Sequence, residues 1–437
     1  MPFILAMYWK RTFFAFAIAF YAMLAAFNVL AQEQVDEQRE WLQQAVRNAC
    51  TSSLIDGPSL QAELIGAWYL REEKSPDNAR FKRHELAFAL PDNRELRLAY
   101  ISANGQLRRF TADVFESGDE ERAPLPLMQA QADGNCMVRS ARRIIYEDAE
   151  NILLEQIDRD LKTPLWRETL QASWPAGKDQ GGVRIALIDS GLAYDLPVFR
   201  NRLARDEASI PIGYDFWDLD QLPYDGDTAR NVFQPIRHGT PVASIIAREA
   251  PDAALIPYRY PRPDMSRMDK IVEHAAKAGA RIISMPLGSR KKSDWITFRA
   301  AMEANPNLLA IVSAGNNGED IDENPLWPSA LKLDNIIVVT SSDAFGNLAD
   351  GSNWGEVSVD LMVPAENQPV VDFRGAKGRA SGTSYAVPRV AALAARLLSK
   401  SPALSTAALK AEIFARATKP RKGGLVAVGW IIDPSRD

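Results

Sequence analysis

The sequence predicts an α/β protein, a parallel sheet with helices on both faces, preceded by a small α+β N-terminal domain. Three observations carry this. From about residue 182 onwards, short continuous apolar runs alternate with helical stretches. Such runs lack the apolar–polar alternation of a half-exposed strand and suit strands covered on both sides. Between about residues 64 and 114 short alternating runs are instead broken by Pro91-Asp92-Asn93 and Ala103-Asn104-Gly105, turn chemistry that favours hairpins. Finally, 437 residues exceed what one hydrophobic core usually organises, so two domains are expected.

The elements follow in order. Lys10 and Arg11 precede an uncharged apolar stretch from Thr12 to Ala31, and Gln32-Glu33-Gln34 then turns polar. This is the layout of a secretory signal over residues 1–31, cut after Ala31. The alternative is a retained membrane anchor, since about twenty apolar residues can span a bilayer. On either reading the remainder is exported, to the periplasm or the cell exterior, and a membrane is a partner only if the segment is retained. Residues 32–150 form the N-terminal region: a helix-leaning entry to about residue 60, then runs at Leu64–Leu70, Glu85–Leu90, Leu96–Ile101 and Leu107–Phe110, and an acidic, Pro-rich loop from Glu116 to about Asn135. Ile144, Ile145, Ile152, Leu153, Ile157 and Leu161 recur at helical spacing, which predicts a helix over Val138–Lys162 ended by Pro164.

In the larger domain, residues 151–437, strands are expected at Val183–Ile188, Ala254–Tyr258, Arg281–Met285, Leu308–Ser313 and Ile336–Thr340. Helices are expected from His238, over Met268–Ala278 and near Trp295–Glu303. The net charge of −5 argues against nucleic acid as a partner. Cys50 and Cys136 are the only cysteines. In an exported chain they form either a disulfide or two separate thiols, and their number excludes a Cys-rich zinc site.

Three segments carry chemistry. Ile185-Ala186-Leu187-Ile188-Asp189-Ser190-Gly191 delivers an Asp at the carboxyl end of a buried strand, where open α/β sheets place their sites. His238-Gly239-Thr240-Pro241-Val242-Ala243 puts a His at a helix start; of the other two histidines, His274 reads as a helix-surface residue and His84 falls in the N-terminal region. Ser381-Gly382-Thr383-Ser384-Tyr385-Ala386-Val387-Pro388 sets Ser384 at the start of an Ala-rich helix, whose unpaired N–H groups suit a nearby oxyanion. A plain N-cap is the simpler role for such a serine, but it leaves the placement of Pro388 unexplained.

In this order the three segments resemble the subtilisin-like serine protease (subtilase) family over about residues 160–437, and Ser313-Ala314-Gly315-Asn316 resembles its oxyanion-hole segment. The resemblance implies an exported serine endopeptidase with Asp189, His238 and Ser384 as its triad and Asn316 as an oxyanion donor. It implies peptide binding along Arg259-Tyr260-Pro261 and Met285-Pro286-Leu287-Gly288, with Leu287, Gly288, Ala314 and Gly315 walling the primary specificity pocket. No cofactor is required. The insert holding Asp215, Asp218, Asp220, Asp225 and Asp227 reads as a solvated loop, with a structural calcium site as the alternative. Glu319, Asp320, Asp322 and Glu323 read as solvent-exposed, with a preference for basic substrate side chains as the alternative. The N-terminal region occupies the place of a proregion that inhibits or chaperones the peptidase; a retained accessory domain is the other reading. Two departures stand out: Pro286, without an N–H, beside the cleft, and Val363-Pro364-Ala365-Glu366 in place of a Gly-containing turn. The rivals are an inactive subtilase-fold binding module and an esterase, although the esterase elbow Gly-x-Ser-x-Gly is missing at Ser384.

Overall fold

The computed structural model describes residues 36–47, 49, 63–74, 80–90, 93–118, 124–262 and 264–436. The expected signal or anchor segment and Cys50 lie outside these residues. Cys136 is disulfide-bonded, and Cys50 is the only other cysteine in the sequence. The chain divides into two compact units. One runs to Tyr146 and takes in Leu153–Glu168; the other comprises Glu147–Ile152 and everything from Thr169.

The first unit is built on an eight-stranded sheet in strict chain order: β1 (Glu63–Lys74), β2 (Arg80–Leu90), β3 (Arg94–Ala103), β4 (Gln106–Glu116), β5 (Leu125–Asp133), β6 (Val138–Tyr146), β7 (Ile152–Ile157) and β8 (Pro164–Gln171). Pairings from β1 through β6 are antiparallel. Asn104 and Gly105 both take positive φ between β3 and β4, as a two-residue hairpin turn demands. Helix α1 (residues 36–47) packs Leu42, Ala45 and Val46 against Leu96, Leu98, Val114 and Met128.

Two expectations are corrected here. The segment Val138–Lys162 is not a helix but β6, β7 and the turns after them. Asp148 Oδ1 accepts from the N–H groups of Glu150 and Asn151, both at 2.8 Å, and so makes the turn that breaks the helical reading. Fully buried Glu155 on β7 then pairs with Arg143 on β6 and Arg167 on β8, a cross-strand charge match that three adjacent strands provide. Isoleucines read as one helix face are strand residues on either side of that turn. The acidic Pro-rich loop likewise contains β5, where Pro126 sits beside a register shift, a position that tolerates a missing N–H.

The second unit has an all-parallel eight-stranded sheet. Its strands are β9 (Arg184–Asp189), β10 (Tyr214–Asp215), β11 (Ala254–Arg259), β12 (Ile282–Met285), β13 (Leu309–Ser313), β14 (Ile336–Ser342), β15 (Leu361–Pro364) and, after a separate hairpin of β16 (Gln368–Val371) and β17 (Lys377–Ala380), β18 (Gly429–Trp430). The spatial order is β10-β11-β9-β12-β13-β14-β15-β18. Helices cover both faces, as expected. Ile185 and Leu187 of β9 join a core with α2 (Gly239–Glu249), α5 (Thr383–Lys400) and α6 (Thr406–Phe414). Ala186 and Ile188 face the opposite core with α3 (Met268–Lys277) and α4 (Ile296–Ala304). This two-sided burial explains why the β9 run is continuously apolar.

Helices α2 and α5 are also bonded to each other. Buried Arg389 on α5 donates to Glu249 on α2 at 3.1 Å, to Asp433 at 2.6 Å and to the Pro364 carbonyl at 2.7 Å. A charge so deeply placed is tolerable only because every side of the guanidinium is answered.

Candidate active site

The sheet delivers Asp189 at the end of β9, and the next residues bring it to α2. Gly191 takes φ +104°, and a Cβ on Gly239 would lie 1.9 Å from the Gly191 carbonyl oxygen. Both positions therefore need glycine, one for its backbone angle and one for the close approach of two loops. That approach puts His238 Nδ1 at 2.8 and 3.0 Å from the two carboxylate oxygens of Asp189. The Asp189 side chain is 7% exposed and that of His238 is 32% exposed, so the carboxylate is sheltered while the ring faces outward.

The start of α2 is capped by residues far away in sequence. His238 makes no side-chain cap of its own. Ser190 Oγ accepts from the N–H groups of His238 at 3.1 Å and Gly239 at 2.9 Å. Asp225, fully buried, accepts from His238 N–H at 3.3 Å and Thr240 N–H at 2.9 Å, and also takes the Ser190 hydroxyl at 2.7 Å. A carboxylate here answers both the orphaned N–H groups and the helix dipole. Asp225 was grouped with a solvated loop in the sequence, and the structure corrects that. It is a positioning residue that no local motif announces. Asp215 and Asp218 likewise grip buried Arg259, and Tyr260 donates its hydroxyl to Asp227. His274 also differs from its expected surface role: its Nδ1 meets the Tyr258 hydroxyl at 2.7 Å in a half-buried position.

Ser384 is bracketed by contacts to the other site residues. Asn316, just past β13, accepts from Thr383 N–H at 2.9 Å through Oδ1, and Tyr385 places its ring 6.2 Å from that of His238. Because Oδ1 is engaged, the Asn316 amide is held with Nδ2 available as a donor. The Tyr385 N–H donates to the Gly382 carbonyl at 2.9 Å. Among the described residues no acceptor takes the Ser384 N–H, and no hydrogen bond joins Ser384 Oγ to His238. Such contacts are often long before substrate binds. Pro388 lacks the N–H that would otherwise bond the Ser384 carbonyl one turn back.

Beside the Asp189–His238 pair lies a cleft of about 430 Å³, with Tyr260 and Arg262 on one side and Leu287, Gly288 and Ser289 on the other. Leu287 and Gly288 line this cleft, but Ala314 and Gly315, expected to wall a pocket with them, do not; Ala314 is wholly buried and Gly315 half-buried. The acidic cluster is tied elsewhere: Glu319 pairs with Arg290, and Asp322 accepts from Val357 N–H at 2.9 Å.

Burial resists charging of the His238 ring, but the Asp189 carboxylate, its hydrogen bond and more distant Asp225 outweigh this and push the imidazole up to about 9. A neutral imidazole is required of a general base, so kcat/KM should climb as pH rises through about 9. A pH–rate profile whose acid limb falls at or below 6.5, the ordinary His value, would contradict this. The same elevation means that the ion pair stabilises the fold fully below pH 6.5 and that this contribution is lost as pH rises through about 9.

Residues 180–430, more than half of the chain, match the subtilase family of peptidases. The chain is a member of the subtilase family. Its relatives include a thermophilic serine proteinase of Bacillus sp. (strain AK1), 28% identical over 52% of this chain and 55% of the relative. The minor extracellular protease Vpr of Bacillus subtilis (strain 168) is 32% identical over 33% of this chain and 19% of the relative. Thermitase of Thermoactinomyces vulgaris is 27% identical over 50% and 76%. The matched part of this subtilase thus spans about half the length of the first relative and a fifth of the second. Among the described residues of this subtilase, no helix is long and apolar enough to cross a membrane.

Proposed function

We propose that this subtilase is an exported serine endopeptidase that hydrolyses peptide bonds through an acyl-enzyme. The observation that carries the reading is the Asp189–His238 pair beside a helix start where Ser384 N–H is free and Asn316 is oriented. Ser384 Oγ attacks the substrate carbonyl while His238 Nε2 takes its proton. Asp189 holds the other ring nitrogen protonated and stabilises the imidazolium. The tetrahedral oxygen gains negative charge and accepts from Ser384 N–H and Asn316 Nδ2, donors already in place before reaction. His238 then returns the proton to the leaving amine, and water cleaves the ester by the same route in reverse. The chemistry needs no cofactor. The substrate backbone lies along Tyr260–Pro261 and Leu287–Gly288, the rims of the cleft.

The test is covalent labelling with a fluorophosphonate probe. One adduct is expected per molecule, on the peptide containing Ser384; an adduct on another serine, or none in protein that is folded, would overturn the reading. For the N-terminal region, expected over residues 32–150 and extended by the compact unit to Glu168, the proposed role is that of a proregion that chaperones or blocks the peptidase domain that follows. Its support is family custom and the separate compact unit it largely forms. Export is supported by the signal-like segment 1–31 and by the extracellular relative.

A further inference from the structure

Gly288 and Gly315, both expected to wall the primary specificity pocket, share a neighbour that the sequence did not single out. A Cβ added to Gly288 would lie 3.5 Å from both Cγ and Cδ2 of Leu326. A Cβ added to Gly315 would lie 2.7 Å from the same Cδ2. The Trp327 carbonyl oxygen, 2.7 Å from the Gly288 Cβ position, and Asn353 Nδ2, 2.7 Å from that of Gly315, crowd one glycine each, but the Leu326 methyl is the group that lies beside both. Leu326 is 8% exposed and belongs to the core on that face of the sheet.

The side chain is not free to withdraw. Trp327 is laddered to Ser289, with Ser289 N–H donating to the Trp327 carbonyl at 2.8 Å and Trp327 N–H to the Ser289 carbonyl at 2.9 Å. The Leu326 carbonyl accepts from Ala330 N–H at 2.9 Å. The segment carrying Leu326 is thus bonded to the segment carrying Gly288, and the two would have to move together. Admitting a large side chain between the walls would force a packed methyl into neighbours at interior density.

We propose that Leu326 closes the floor of the primary pocket and restricts the substrate residue before the scissile bond to small side chains such as Gly, Ala or Ser. This rests on the peptidase reading above and names its substrate class. Two of the nearby acidic side chains are engaged away from these walls, Glu319 with Arg290 and Asp322 with the Val357 N–H.

The experiment uses the purified full chain and three peptide p-nitroanilides that differ only in the residue before the cleaved bond: Ala, Leu or Phe. The wild type should favour Ala over Phe by about 10–200-fold in kcat/KM, the discrimination that steric exclusion in an apolar pocket provides. Leu326→Ala should shift the Phe-to-Ala ratio upward by about 10-fold or more. Leu326→Val, a milder change that keeps the core filled, should shift it in the same direction by less. A wild type that prefers Phe or Leu would overturn the proposal, as would an unchanged ratio in a folded Leu326 variant. Loss of all turnover together with loss of fluorophosphonate labelling in the wild type would instead remove the peptidase reading itself.

Discussion

Ser384→Ala should lower peptide hydrolysis by about 10⁶-fold, the scale observed when the nucleophile is removed from subtilisin and carried here by family membership. The side chain is small and only half-buried at the first turn of α5, so losing one hydroxyl leaves the helix and its packing in place. Unchanged melting and circular dichroism, with loss of both turnover and fluorophosphonate labelling, is the expected combination. If the N-terminal region is removed by self-cleavage, the variant should also retain it, visible as a larger intact mass than the active protein. Residual turnover within tenfold of the wild type would mean that another group performs the attack.

Asp189→Asn is expected to cost about 10⁴ in kcat, as the equivalent change does in other Ser-His-Asp triads. The reason is positional as much as electrostatic. On the proposed mechanism the carboxylate accepts the Nδ1 proton of the neutral ring, which leaves Nε2 bare and ready to receive the serine proton. An amide that turns its NH₂ towards Nδ1 selects the other tautomer, with a hydrogen on the nitrogen that should act as base. Removing the charge also removes the main reason His238 is pushed up to about 9 and leaves burial to act the other way, so the acid limb of the surviving activity should move down. A loss smaller than tenfold, with the acid limb unmoved, would show that Asp189 does not govern the imidazole.

The parallel sheet was legible because each strand is buried on both sides and therefore writes an unbroken apolar run, as in Ile185–Ile188. The three chemical segments were legible because close approaches and helix starts need particular small residues, such as Gly239 against the Gly191 carbonyl. The N-terminal sheet was only half legible. Where Asn104-Gly105 marks a turn the hairpin was found, but β6 and β7 place isoleucines at a spacing that helix and strand share across a turn. The decisive partner, Glu155 between Arg143 and Arg167, becomes visible only once the strands are side by side. Asp225 and Leu326 escaped for the same reason. Each acts through a loop closure, on His238 and between Gly288 and Gly315, and neither sits in a local pattern that distinguishes it from neighbouring residues.

Arg389 gives the two helices that begin beside His238 and Ser384 a common rivet, for it fastens α5 to Glu249 at the far end of α2. Sliding one helix along the other would strand a cation and an anion in a dry interior, so their front ends keep a fixed spacing while the protein breathes. Whatever give the enzyme needs to seat and release a chain must then come from the rims, around Tyr260–Arg262 and Leu287–Ser289, rather than from the frame that aligns the reacting groups.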